Sequence, residues 1–182
     1  NPTGSFIPGH RLRPFVSTLA RRVPVLVDEA YLDLYDDLEE HTLRERVQAG
    51  DPVIVTRTFS KLHGLAGLRV GYALAPAELI RRLEKHRMSM LNQAGLAAAR
   101  ASYADKAFQG YSRERLQTGA AIVRQVLEEL GRPMVAGARG NFVFFDTGMP
   151  AREFGADMRG RGFMVGRPFA PYGNWCRVSI GR

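Results

Sequence analysis

Two short stretches carry residue types that could do chemistry together. The apolar run VPVLV at 23–27 ends in Asp28 and Glu29, and VIVT at 53–56 leads into RTFSK, which delivers Thr58, Ser60 and Lys61. Arg69 follows Lys61 by eight residues, across a turn bearing Gly64 and Gly67. Lysine is scarce: of 26 basic residues only Lys61, Lys85 and Lys106 are lysines. A lysine amine can attack a carbonyl carbon and carry a proton, and it does so best where its surroundings lower its pKa. Each residue alone has a plainer reading. Asp28 would serve as a turn residue or helix cap, Lys61 as a solvated side chain, 64–67 as a flexible loop and Arg69 as a surface ion-pair former. Their order and spacing together carry the signal.

Those residues need elements to position them. Leu12, Phe15, Val16 and Leu19 recur at helical spacing, so residues 8–22 are expected to form a helix. Residues 23–27 and 53–56 are short, β-branched apolar runs and are expected to be buried strands. A third strand is expected over 69–75, and a helix over 38–49, stopped by Gly50-Asp51-Pro52. Pro76 opens a long helix, 77 to about 100, and another runs from about 112 to 130, ending at Gly131. Strands are expected over 141–146, 162–165 and 176–180, with a helix over 151–161. Strand–helix alternation in the first half argues for a parallel α/β sheet; the last third reads as a small α+β unit, with the long helix from 77 as the link. In open parallel sheets ligands bind beyond the carboxyl ends of the strands. If the first two strands are neighbours, Asp28 and Lys61 share one crevice.

Composition narrows the class. The chain has 182 residues, 45% hydrophobic and 24% charged, which is globular and sufficient for a sizeable core. The net charge is +8, yet acids interleave with the arginines and no dense basic run exists, so nucleic-acid binding is not expected. No apolar stretch approaches a membrane span. The lone Cys176 excludes an internal disulfide and a cysteine-based metal site, and a reducing, cytoplasmic setting fits. His10, His41, His63 and His86 lack metal-ligand spacing, so no metal is expected. The chain opens at Asn1 inside a motif, so a fragment is expected, with any upstream targeting signal out of view.

The motifs NPTG at 1–4, VDEAYLDL at 27–34, TFSKLHGLAGLRVGY at 58–72, NFVFF at 141–145, RPF at 167–169 and RVSIG at 177–181 occur in one order along the whole chain. In that order they resemble the fold-type-I aminotransferases that use pyridoxal 5′-phosphate (PLP), and within them the histidinol-phosphate aminotransferases. The resemblance implies an α/β, aspartate aminotransferase-like fold. Residues 1–100 would be part of the large parallel-sheet domain, without its N-terminal part, and 101–182 the small α+β C-terminal domain. It also implies a homodimer with small-molecule partners: an L-amino acid or amino-phosphate and a 2-oxo acid such as 2-oxoglutarate.

The resemblance implies residue roles as well. Lys61 would tether the cofactor and shuttle a proton; Asp28 would keep the ring nitrogen protonated; Asn1 and Tyr31 would hold the ring's phenolic oxygen. Thr58, Ser60 and Arg69 would hold the phosphate, the glycine-bearing turn letting the chain return to the same anion. Arg177 would grip the substrate α-carboxylate with two parallel hydrogen bonds. Asn141 would lie on the substrate side, and Arg167 would help bind a distal phosphate. The stretch GRPFAPYGNW at 166–175 departs from the family pattern and would border the substrate pocket, leaving the substrate open among histidinol phosphate, an aromatic amino acid and something more specialised.

Other residues read as structural. His63 is given a local loop role, since lysine supplies the proton transfer. Cys176 reads as a packed thiol, the acids of 33–40 as a solvated loop and helix start, and Phe142, Phe144 and Phe145 as core or pocket wall. Two alternatives to an aminotransferase stay open: a lyase, decarboxylase or racemase of the same fold, and an aminotransferase-like sensory domain of a transcription regulator.

Overall fold

The computed structural model describes residues 3–181. They form two compact units: Ile7–Arg113, and a second that gathers the residues up to Phe6 with those from Glu114 onward. The division falls inside the helix Lys106–Glu129.

The unit Ile7–Arg113 is built on a three-stranded sheet in the order β1 (Val25–Asp28), β2 (Val53–Thr58), β3 (Gly71–Leu74). β2 is central and alternates strictly: Val53, Val55 and Arg57 are buried on one face, Ile54, Thr56 and Thr58 half-buried on the other. Val53 and Val55 join Val16 and Ala20 of α1 (Gly9–Ala20) and Leu43 in one apolar cluster. β1 pairs with β2 in parallel, Asp28 opposite Thr56, so the two strand ends do lie side by side. β1 is not a fully buried strand. It lies at the edge of the sheet, packs one face on the cluster and leaves Leu26 61% exposed.

β3 departs from the all-parallel expectation: it runs antiparallel to β2, with Thr58 opposite Gly71. A parallel return needs a crossover of about a dozen residues or more, normally a helix. Residues 59–70 hold only the 3₁₀ turn Ala66–Leu68, so the chain doubles straight back.

Two expected helices are each broken. Residues 38–49 form α2 (Leu38–His41) and α3 (Arg44–Gln48), parted at Thr42 and Leu43, whose polar groups are drawn to Glu29 instead. The long helix from 77 is α4 (Ala77–Glu84) and α5 (Gln93–Ala104). Asn92 starts a new helix by accepting the Gly95 N–H at 3.1 Å, the N-cap preference of a short polar side chain. The link between the two halves is therefore not that helix. α6 (Lys106–Glu129) begins where Asp105 accepts the Phe108 N–H at 2.9 Å, several residues before the expected start.

The second unit pairs β4 (Phe142–Asp146) antiparallel with β5 (Trp175–Ser179). One face of this pair, Val143, Phe145 and Cys176, packs on Ala120 and Leu127 of α6. The other carries Phe142, Phe144, Trp175 and Arg177, with Phe144 opposite Arg177 in the register. α7 (Ala151–Gly160) follows β4 and packs Phe154 against Phe145. The strand expected over 162–165 does not form. Phe163 and Met164 stay largely exposed, and the Gly166 N–H donates to the Arg177 carbonyl of the last strand at 2.9 Å. Among the described residues no helix is long and apolar enough to cross a membrane.

Candidate functional site

In the unit Ile7–Arg113 the candidates gather at the carboxyl ends of β1 and β2. Asp28 is the last residue of β1 and is exposed; its Oδ1 accepts the Ala30 N–H at 3.0 Å and lies 3.5 Å from the Thr56 hydroxyl. The chain then turns at Tyr31 into the 3₁₀ turn Leu32–Leu34. Thr58 ends β2, and its hydroxyl accepts the Ser60 N–H at 3.0 Å, which curls the backbone into the turn bearing Lys61. The Lys61 ammonium stands 4.8 Å from the centre of the Tyr31 ring. That is a cation–π contact, and it joins the loop after β2 to the loop after β1.

Arg69 completes the group. It follows the turn Ala66–Leu68 with φ 54°, the only non-glycine residue with a left-handed backbone among those described. That conformation is disfavoured for any residue with a Cβ and is held here by its surroundings. It aims the guanidinium back, so that Nη1 donates to the Ala66 carbonyl at 3.0 Å and reaches the Ser60 hydroxyl at 3.4 Å. Thr58, Ser60 and Arg69 thus offer hydroxyls and a fixed cation on one side of the Lys61 turn. Asn1 lies outside the described residues.

Beneath this group lies an ion pair that the sequence reading did not single out. Glu29 and Arg57 are only 5% and 9% exposed. The Glu29 carboxylate accepts from Arg57 Nε at 3.0 Å and Nη2 at 2.8 Å, from the Leu43 N–H at 2.7 Å and from the Thr42 hydroxyl at 3.0 Å. Arg57 Nη2 also donates to Thr42 Oγ1 at 2.9 Å, and Nη1 lies 3.8 Å from Asp33. Burial is the largest single influence and opposes the Arg57 charge, but Glu29, Tyr72 and Asp33 together outweigh it, so the guanidinium pKa is raised above its ordinary value. Burial likewise raises the pKa of Tyr72, which stands opposite Arg57 across β2 and β3. A signal was present: Arg57 shares the parity of Val53 and Val55, and a charge on a buried strand face requires a partner.

His63 is buried. Its Nδ1 meets the Ser102 hydroxyl of α5 at 2.8 Å and its ring packs on Phe59 at 4.7 Å. Burial lowers its pKa below the ordinary histidine value.

The remaining candidates belong to the second unit. Arg177 lies on β5 with its guanidinium 4.7 Å from the Phe142 ring centre and 4.9 Å from that of Phe169. Its Nε is buried and, among the described residues, unpartnered. A buried N–H with no acceptor costs free energy unless an anion meets it. Phe169 also carries the Arg167 guanidinium, at 4.9 Å. Arg167 lines an open cleft together with Arg152 and Arg159, with no carboxylate in its lining. Asn141 precedes β4 and accepts the Ile180 N–H on its carbonyl at 2.8 Å. The stretch 166–175 is explained by packing: Phe144 makes edge contacts with Phe169 at 6.3 Å and Tyr172 at 5.4 Å, and a tilted one with Trp175 at 5.2 Å.

Comparison with known proteins agrees with this architecture. A crystal structure from Erwinia carotovora atroseptica superposes with a TM-score of 0.92 at 34% identity, covering 100% of this chain and 53% of that one. The histidinol-phosphate aminotransferase of Sinorhizobium meliloti, solved in complex with PLP, gives 0.86 at 27% identity, covering 99% and 50%. Histidinol-phosphate aminotransferase 1 of Cupriavidus pinatubonensis is 39% identical over 100% of this chain and 49% of its own length. The chain thus spans about half the length of the curated relatives it matches. The sequence model of the family "Aminotransferase class I and II" matches residues 1–182, so the chain belongs to the class I and II aminotransferases.

Proposed function

We propose that this chain is the cofactor-tethering and substrate-gripping portion of a PLP-dependent aminotransferase. Such an enzyme moves an amino group between an L-amino acid, or an amino-phosphate such as histidinol phosphate, and a 2-oxo acid. The observation that carries the reading is Lys61, held over Tyr31 beside the Asp28 strand end. Membership in the family and relatives that carry the histidinol-phosphate aminotransferase name support it.

The residues fit the cofactor. An amine, a carboxylate, a phenol, two hydroxyls and an arginine are the donor set that a phosphorylated hydroxypyridine aldehyde calls for. Lys61 has no acidic side chain paired to it among the described residues that would compete for its amine. When bound, PLP supplies an electron sink for the bonds at the substrate α-carbon. The chain's residues do the rest. Asp28 holds the ring nitrogen protonated, and Tyr31, with Asn1, holds the phenolic oxygen. Thr58, Ser60 and Arg69 bind the phosphate. Lys61 Nζ would tether the cofactor until the substrate amine displaces it, and the freed amine would then take the proton from the substrate α-carbon. Arg177 takes the α-carboxylate on a guanidinium that stands over two rings and whose buried Nε has no partner among the described residues. Asn141 serves the substrate side. Arg167 takes a distal phosphate, to which the acid-free cleft with Arg152 and Arg159 is suited. The same reading makes the enzyme a cytoplasmic homodimer, with residues 1–100 belonging to a large domain and 101–182 to a small one.

The test is spectroscopic. The full-length protein is mixed with PLP, treated with borohydride and digested for mass spectrometry, beside Lys61→Ala. A pyridoxyl group on Lys61, absent from the variant, supports the reading. Amino donors are then added singly, histidinol phosphate first, and the keto product is identified. Absence of any Lys61 adduct refutes the proposal; decarboxylated or racemised product in place of a keto acid refutes transamination.

A further inference from the structure

We propose that the buried Glu29–Arg57 pair is a positioning device that sets the distance and tilt between the two strand ends carrying Asp28 and the Thr58–Lys61 turn. This rests on the functional reading above. Each member is the chain neighbour of a candidate residue, Glu29 of Asp28 and Arg57 of Thr58. Successive strand residues point to opposite faces, so the pair braces the sheet from the side opposite Asp28 and Thr58. A shift of one member therefore moves the residue bonded to it.

The network is complete. The Thr42 hydroxyl donates to Glu29 and accepts from Arg57 Nη2 and from the Arg44 N–H at 3.1 Å. The Glu29 carboxylate takes four donors, and the Glu29 N–H donates to the Thr56 carbonyl at 2.9 Å, closing the bracket between β1 and β2. Asp33, near Arg57 Nη1, follows Tyr31 by two residues in the 3₁₀ turn, so the same cation also reaches the turn after Tyr31.

Stability alone does not call for this arrangement. Apolar residues of similar volume can usually replace a buried ion pair at no loss of stability. The same face of β2 already buries Val53 and Val55. What apolar packing lacks is direction. Arg57 Nε and Nη2 converge on one Glu29 oxygen while the Leu43 N–H takes the other, so directed bonds from two sides hold the carboxylate's angle as well as its distance.

The test separates direction from stability. In the full-length protein, Glu29→Leu/Arg57→Met replaces the pair with apolar volume, and Val55→Ala leaves a hole on the same face of the same strand. Thermal midpoints and PLP dissociation constants are measured for both, the latter by equilibrium dialysis of the apo form. The expected result is a folded double variant whose PLP affinity falls at least about tenfold, as when an outer-shell hydrogen-bond partner is removed. Val55→Ala is expected to lose stability and keep its PLP affinity. Parental affinity in the folded double variant, or an equal loss in Val55→Ala, overturns the proposal. Should the double variant fail to fold, Arg57→Lys decides, since it keeps the charge and loses the fork. Weaker PLP binding by folded Arg57→Lys supports positioning, and unchanged binding overturns it. If the unaltered protein fails to bind PLP, the functional reading falls and takes this one with it.

Discussion

Replacing Phe169 with leucine tests whether the aromatic cradle presents Arg177 to a carboxylate. The Arg177 guanidinium carbon stands 4.9 Å from the Phe169 ring centre and 4.7 Å from that of Phe142. A cation–π contact is worth about 0.5–1 kcal/mol when exposed and about 2 when desolvated. Arg177 is half-buried, so loss of one of its two ring contacts is set at about 1 kcal/mol, which is roughly a fivefold change in affinity. Leucine also gives up the edge contact with Phe144 at 6.3 Å, a loss of about 0.5–1.5 kcal/mol of stability. A control with a similar stability loss is Phe154→Leu, which gives up the edge contact with Phe145 at 6.0 Å and has no contact with Arg177. The assay follows turnover of the full-length holoenzyme at a fixed concentration of the amino donor, titrating 2-oxoglutarate and measuring KM and kcat together. Phe169→Leu is expected to raise KM about fivefold with kcat nearly unchanged, and Phe154→Leu to leave both near parental values. Equal KM in Phe169→Leu and the parent, or equal rises in both variants, would refute the cradle.

Three other outcomes are expected. His63 has a folded pKa below its ordinary 6.5 because it is buried, chiefly through lost hydration, with Lys106 and Arg113 acting in the same sense and Asp33 and Ser102 against it. Its unfolded form therefore binds protons first, and stability that is full above about pH 6.5 declines as the pH falls through that value towards the folded pKa; His63→Phe should flatten this part of a pH series of urea melts, and an unchanged slope argues against the burial. A Cβ on Gly9 would stand 2.5 Å from the Glu40 carbonyl oxygen and 2.7 Å from the His41 Cα, both backbone, so Gly9→Ala should cost about 1–3 kcal/mol by chemical denaturation, and a parental midpoint would contradict that close approach. Cys176 is 1% exposed and burial raises its thiol pKa, so a thiol reagent should leave the native protein unmodified at pH 8 and react once denaturant is added; rapid native labelling would show the thiol to be open.

Much was legible because it was local. The apolar runs 23–27 and 53–56 locate two strands to within two residues of their carboxyl ends, since strand burial is written in consecutive residues and loop chemistry in the residues just past them. The motif order from 27–34 to 177–181 was enough to identify the family. Helix breaks at Thr42–Leu43 and at Asn92 were harder to see. Side chains there satisfy distant or capping groups, and the apolar spacing continues through both breaks.

By itself the sequence determined which residues reach a strand end and which face of β2 each one takes, because a period of two follows from the backbone. Only the tertiary structure decided the partners. Arg57 meets Glu29 across 28 residues of chain, β3 returns antiparallel after a loop holding a 3₁₀ turn and no crossover helix, and Arg177 stands over both Phe142 and Phe169. Those pairings depend on register and loop geometry, so no single segment encodes them.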